Sequence, residues 1–175
     1  MELGMIGLGR MGGNMVRRLL GGDHQLVVYD PANEAVQAVA EQGATGATSI
    51  ADLASKLTRP RAVWLMVPAG EPTETAINSL AMELSPGDIV IDGGNSYYKD
   101  SMRRAAVLSE KEIIFLDVGT SGGIWGGLRT DEGKAGSLTS TCPKSPGYGD
   151  TAAWCAHGYL TWSLRPYRRT PNLRV

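Results

Sequence analysis

Residues 7–12 read Gly7-Leu8-Gly9-Arg10-Met11-Gly12, a GxGxxG pattern. The apolar run Leu3–Ile6 precedes it, and a helical stripe of Met15, Val16, Leu19 and Leu20 follows. Between a strand and a helix, three glycines at this spacing have separate tasks. The first permits a tight turn, the second lets a pyrophosphate approach the backbone, and the third lets the helix pack closely on the strand. The helix amino terminus adds unpaired N–H groups and the positive end of its dipole. Asp30 ends the next apolar run, 18 residues after Gly12. A carboxylate at that distance accepts hydrogen bonds from the adenosine ribose hydroxyls and repels a 2′-phosphate. The residues that follow, Pro31-Ala32-Asn33, include no Arg to grip such a phosphate. The chemistry expected is dinucleotide binding through Gly7 to Gly12 and Asp30, with NAD preferred over NADP. The plainer reading of Asp30 is an Asx-turn at the strand end.

Two later segments carry polar groups at the ends of apolar runs. Asn95-Ser96 follows the strand-like segment Asp88–Asp92, and Ser121-Gly122-Gly123 follows Ile113–Val118. Open α/β sheets bind ligands outside the carboxyl ends of their strands, and a hydroxyl beside bare backbone N–H groups can hold an anion. Taken alone, Gly93-Gly94-Asn95 reads more simply as a turn.

The elements that must position these groups alternate. Strands are expected at Leu3–Ile6, Gln25–Tyr29, 62–67, Asp88–Asp92 and Ile113–Val118, and helices at Gly12–Leu20, Asn33–Gln42, about 50–57, Thr73–Leu84 and Tyr98–Ser109. Ser49-Ile50-Ala51-Asp52 has capping-box spacing with Asp in place of Glu. Continuous apolar runs such as Ala62–Val67 suit strands buried on both faces. The fold class expected is α/β, a Rossmann-like doubly wound parallel sheet.

Four motifs in order then resemble a family. Gly7 to Gly12, Met66-Val67-Pro68-Ala69-Gly70, Asp92-Gly93-Gly94-Asn95-Ser96 and Gly119-Thr120-Ser121-Gly122-Gly123 follow the pattern of 6-phosphogluconate dehydrogenase, and resemble the amino-terminal domain of its NAD-preferring bacterial branch. The resemblance implies cofactor contacts from Gly7, Leu8, Gly9, Arg10, Met11, Gly12, Asp30, Val67, Pro68, Ala69 and Asn95. It implies substrate contacts, to 6-phosphogluconate, from Asn95, Ser121, Gly122 and Gly123. The family oxidatively decarboxylates 6-phosphogluconate to ribulose 5-phosphate in the pentose phosphate pathway, and is a homo-oligomer through a helical domain not visible in this sequence. The 3-hydroxyisobutyrate-type dehydrogenases share the first and last motifs but usually lack Gly-Gly-Asn in the third. A non-enzymatic NAD-binding fragment is the third reading.

The pattern covers residues 1–126 and stops there. The family's general acid/base is the lysine of a Lys-x-x-x-Asn helix. Four residues after Lys56, Lys99, Lys111, Lys134 and Lys144 stand Pro60, Arg103, Phe115, Leu138 and Tyr148, so no catalytic residue is assigned. His24 and His157 are poor substitutes, the first because it precedes a strand at the end opposite the cofactor. Charge changes at the same point: fifteen acidic and ten basic side chains up to Trp125, three and seven after it. Residues 127–175 are expected to be a disordered, out-of-frame tail. The weaker readings are a nucleic-acid arm around Arg165, Arg168, Arg169 and Arg174, and a metal site at Cys142, Cys155 and His157, one ligand short of a closed zinc site. No metal, nucleic-acid or membrane partner is assigned. Two cysteines, no basic leader and no apolar run near the roughly 20 residues of a span give a cytosolic expectation.

Overall fold

The computed structural model describes residues 1–119. Its elements run β1 (Glu2–Ile6), α1 (Arg10–Leu20), β2 (Gln25–Tyr29), α2 (Asn33–Ala40), β3 (Thr45–Gly46), α3 (Ile50–Lys56), β4 (Ala62–Leu65), α4 (Glu71–Glu83), β5 (Ile89–Asp92), α5 (Tyr98–Glu110) and β6 (Ile114–Asp117). The six strands form one sheet in the order β3-β2-β1-β4-β5-β6, and every pairing is parallel. This is the doubly wound order with its topological switch between β1 and β4. The expected fold class holds.

The continuous apolar runs follow from burial on both sides. Alternate residues of each central strand point to opposite faces. Ile6, Val27, Val63, Leu65 and Val90 pack with Leu53, Ile77, Leu80 and Leu108, from α3, α4 and α5. Leu3, Met5, Leu26, Val28, Trp64, Ile89 and Ile91 pack with Val16, Val36 and Val39, from α1 and α2.

Four points differ from expectation. β3 has two residues, too few for any periodicity, and its pairing is Val27 with Thr45 and Val28 with Gly46. The last strand is not buried throughout: Ile114 is exposed and Phe115 and Leu116 half-buried, because β6 pairs only with β5 among the described residues. Helix α1 begins at Arg10 rather than Gly12, so the third glycine lies inside the first turn. At α3, the Ser49 Oγ accepts from the Asp52 N–H at 3.0 Å, while Asp52 accepts from the Thr48 N–H at 2.8 Å. Asp52 thus bonds the N–H of the residue before the cap, where the expected box has the N–H of the cap itself.

Among the described residues no helix is long and apolar enough to cross a membrane. No group of three or more His, Cys, Asp or Glu is placed to hold a metal ion among them either. The tail residues Cys142, Cys155, His157, Arg165, Arg168, Arg169 and Arg174 lie outside the described residues, as do Ser121, Gly122 and Gly123.

Candidate dinucleotide site

Because all strands run parallel, the segments after β1, β2, β4 and β5 emerge at one edge of the sheet. That edge gathers Gly7–Gly12, Asp30, Val67–Ala69 and Asn95 from four separate stretches of sequence. His24, by contrast, sits in the turn between α1 and β2, at the opposite edge.

Each glycine of the loop has a distinct local reason. Gly7 has φ +93°, and a Cβ there would meet the Met66 carbonyl oxygen at 2.5 Å. Its N–H donates to the Tyr29 carbonyl at 3.0 Å, which ties the start of the loop to the end of β2. A Cβ on Gly12 would collide with the Gly7 carbonyl oxygen, so the helix can lie against the loop only with glycine there. Gly9 differs from both. It has φ −57° and ψ −172°, a conformation open to other residues, and a Cβ there meets no atom within 4 Å. Neither backbone strain nor packing calls for glycine at Gly9.

The helix that follows is left open at its amino end. The N-cap Gly9 offers no side-chain hydrogen bond, and the first turn of α1 holds no acidic residue. Every other described helix has one there: Glu34 in α2, Asp52 in α3, Glu71 and Glu74 in α4, and Asp100 in α5. The first-turn N–H groups and the positive dipole end therefore face outward at α1 with no carboxylate in the turn itself. Exposed Arg10 stands at the same turn, while Leu8 is buried and Met11 half-buried. This arrangement fits a pyrophosphate.

Asp30 serves the loop as well as the strand end. Its Oδ2 accepts from the Leu8 N–H at 2.7 Å and its Oδ1 from the Ala32 N–H at 2.8 Å. The second bond is the Asx-turn that composition suggests. The first, across 22 residues, has no sequence signal; it holds the glycine loop against β2. A carboxylate has about four acceptor directions, so capacity remains for two hydroxyl donors.

On the other side of β1, the loop after β4 is held from α4. Buried Thr73 donates its Oγ1 to the Pro68 carbonyl at 2.9 Å. Val67 is half-buried, Pro68 and Ala69 are exposed, and Gly70 caps α4 with φ +92°. After β5, a Cβ on Gly93 would collide with Trp64 Nε1 and lie 2.8 Å from Met66 Sδ; the Gly93 N–H donates to the Leu65 carbonyl at 2.9 Å. The first glycine of Gly93-Gly94-Asn95 thus answers a packing demand rather than a turn preference. Asn95 is exposed beyond it.

The composition of the helices hides an ionic cluster behind this loop. Fully buried Asp92 accepts from the Gly94 N–H at 3.0 Å, from Ser96 Oγ at 2.7 Å and from Arg104 Nη1 at 3.2 Å. Arg104, 2% exposed, also donates from Nε to Glu74 at 2.7 Å. The Arg103 hydrogen bond, with help from Arg104, holds the Glu74 carboxyl below its ordinary range, against the effect of burial. Across the strand pair from Asp92, the Asp117 carboxyl is raised, first by burial and further by the Asp92 charge, with Ser101 and Arg104 opposing.

The comparisons with known proteins agree with this geometry. Residues 2–136 match the family model described as the NAD binding domain of 6-phosphogluconate dehydrogenase. The chain belongs to that family. An NAD(+)-dependent, decarboxylating 6-phosphogluconate dehydrogenase from Haloferax volcanii is 46% identical over 123 residues, covering 70% of this chain and 40% of that one. A solved 6-phosphogluconate dehydrogenase from Plasmodium falciparum, studied with NADP+ and with 6-phosphogluconate, superposes with a TM-score of 0.68 at 30% identity, over 73% of this chain and 28% of that one. The 3-hydroxyisobutyrate dehydrogenase of Mycobacterium tuberculosis gives 0.65 at 26% identity, over 71% and 42%. The chain spans less than half the length of these relatives. It is a nucleotide-cofactor-binding domain of the dehydrogenase type.

Proposed function

We propose that the chain binds NAD in preference to NADP, as the cofactor domain of an oxidative decarboxylase of 6-phosphogluconate. The observation that carries the reading is the Gly9 turn. It needs glycine for no internal reason, and it lies at the only described helix start without a first-turn acid. In this reading the N–H groups of the α1 first turn hold the pyrophosphate, with Gly7 and Gly12 shaping the loop and Leu8, Arg10 and Met11 lining it. Asp30 takes the adenosine ribose hydroxyls and opposes a 2′-phosphate. Val67, Pro68 and Ala69 form the loop beside the adenosine and nicotinamide ribose, and Asn95 contacts both nicotinamide and sugar acid. Ser121, Gly122 and Gly123 are assigned to the sugar acid. The bound cofactor supplies a hydride acceptor; the residues named here bind and orient it.

The 3-hydroxyisobutyrate-type reading rests on the shared fold. Asp92-Gly93-Gly94-Asn95-Ser96 favours the sugar-acid reading over it. We place the domain, at residues 1–126, in a cytosolic setting, where its substrate class is soluble and anionic. Calorimetric titration with NAD and NADP tests the cofactor assignment: tighter NAD binding is expected, and equal or tighter NADP binding would overturn it.

A further inference from the structure

We propose that Arg104, backed by Glu74, is a positioning residue for the nicotinamide half of the cleft. It acts as a buried strut that sets the loop after β5, and with it Asn95, against the loop after β4. The proposal rests on the dinucleotide reading of the cleft and adds a role for a buried residue that this reading does not use.

Arg104 lies on the buried stripe of α5, with Ser101 one turn before and Leu108 one turn after. Its guanidinium divides its donors between two walls. Nη1 donates to Asp92 Oδ2 at 3.2 Å and to Ser96 Oγ at 3.0 Å, on the loop that carries Asn95. Nε donates to Glu74 Oε1 at 2.7 Å. Glu74 stands in the first turn of α4, next to Thr73, whose hydroxyl holds Pro68. One planar fork therefore fixes the separation of the segments after β4 and β5. These strands lie on the side of the switch point away from Asp30. A dinucleotide with its adenosine ribose at Asp30 and its pyrophosphate at α1 extends its other half toward them.

The fold alone does not require this cluster. Charges are costly to bury, and replacing a buried ion pair with matched apolar groups is often neutral or stabilising. A rigid bidentate donor gives geometry that an apolar side chain cannot. The exposed neighbour Arg103 donates instead to Glu74 and Asp100, on the outer side of the cluster, so it does not bridge the two loops.

The test uses the full chain carrying Arg104→Met or Ser96→Ala, titrated with ADP-ribose and with NADH. ADP-ribose fills the adenosine and pyrophosphate positions and lacks the nicotinamide ring. The expected result for Arg104→Met is unchanged ADP-ribose affinity, NADH affinity reduced about fivefold, on the scale of one misplaced hydrogen bond, and bound-NADH fluorescence shifted toward that of free NADH. Ser96→Ala, which keeps the Arg104–Glu74 pair, should shift both NADH readouts in the same direction by less. Parallel losses for both ligands would show a merely structural role and overturn the proposal, as would unchanged NADH affinity and emission. If Arg104→Met does not fold, Ser96→Ala decides by the same two outcomes. A wild-type chain that binds neither ligand would refute the dinucleotide reading itself, and the proposal with it.

Discussion

Replacing Gly9 with Ala separates binding from folding in a way the neighbouring glycines do not. A Cβ at Gly9 meets no atom within 4 Å, and φ −57°, ψ −172° suits alanine. Two small terms oppose each other in stability. Gly→Ala at a compatible conformation gains about 0.4–1 kcal/mol through the unfolded chain. Alanine is a poorer N-cap than glycine by a similar amount. The net change should stay within about 1 kcal/mol. Binding should respond differently, because the methyl stands where the pyrophosphate would approach the backbone. Loss of one hydrogen bond to a charged phosphate, about 1.5–3 kcal/mol, corresponds to roughly a tenfold to hundredfold weaker NAD affinity. Gly12→Ala supplies the contrast: its Cβ collides with the Gly7 carbonyl oxygen, so it should lose about 3 kcal/mol or more of stability through overpacking. Urea unfolding and calorimetric titration on both variants check this. A Gly9→Ala protein that folds normally and binds NAD like wild type would refute the assignment of the loop to phosphate.

Further expectations follow from the neighbouring residues. Asp30→Asn should narrow the gap between NAD and NADP by about 1–3 kcal/mol in paired titrations. Because Asp30 also accepts from the Leu8 N–H, Asp30→Ala should in addition cost about 1 kcal/mol of stability in urea unfolding. Glu74→Gln should lose about 1–3 kcal/mol at neutral pH, since it weakens the partner of buried Arg104. The lowered Glu74 carboxyl stabilises the fold above the ordinary carboxylate range, and this contribution disappears as pH falls through its folded-state value. The difference from wild type should therefore shrink between neutral pH and about pH 3, as read by denaturant unfolding at several pH values. The 175-residue chain should not turn over 6-phosphogluconate with NAD, because none of its lysines has Asn four residues after it in the sequence. Nicotinamide absorbance with purified protein checks this, and turnover near about 1 s⁻¹, within the ordinary enzyme range, would contradict it.

The local chemistry of this protein was legible in its residues. Glycine spacing, an acid at the end of the second strand and alternating apolar periods are short-range signals, and they led to the parallel sheet, the loop and Asp30. Element ends were legible only to within a few residues, as the start of α1 at Arg10 shows. What sequence could not supply depends on partners far apart in the chain. The two-residue β3 exists because β2 presents an edge to it, not because Thr45-Gly46 prefers a strand. Asp30 reads as a ribose ligand or an Asx-turn, and only the approach of Leu8 across the β1–β2 pair makes it a brace for the loop as well. Arg104 reads as one charge among several on a polar helix. Tertiary packing alone turns it inward, where Asp92 from β5 and Glu74 from α4 meet its guanidinium. The physical reason is one of range. Hydrophobic periodicity and turn preference are set by neighbours along the chain, whereas burying a charge is worthwhile only where distant segments bring its counter-charges, and that is decided when the sheet is assembled.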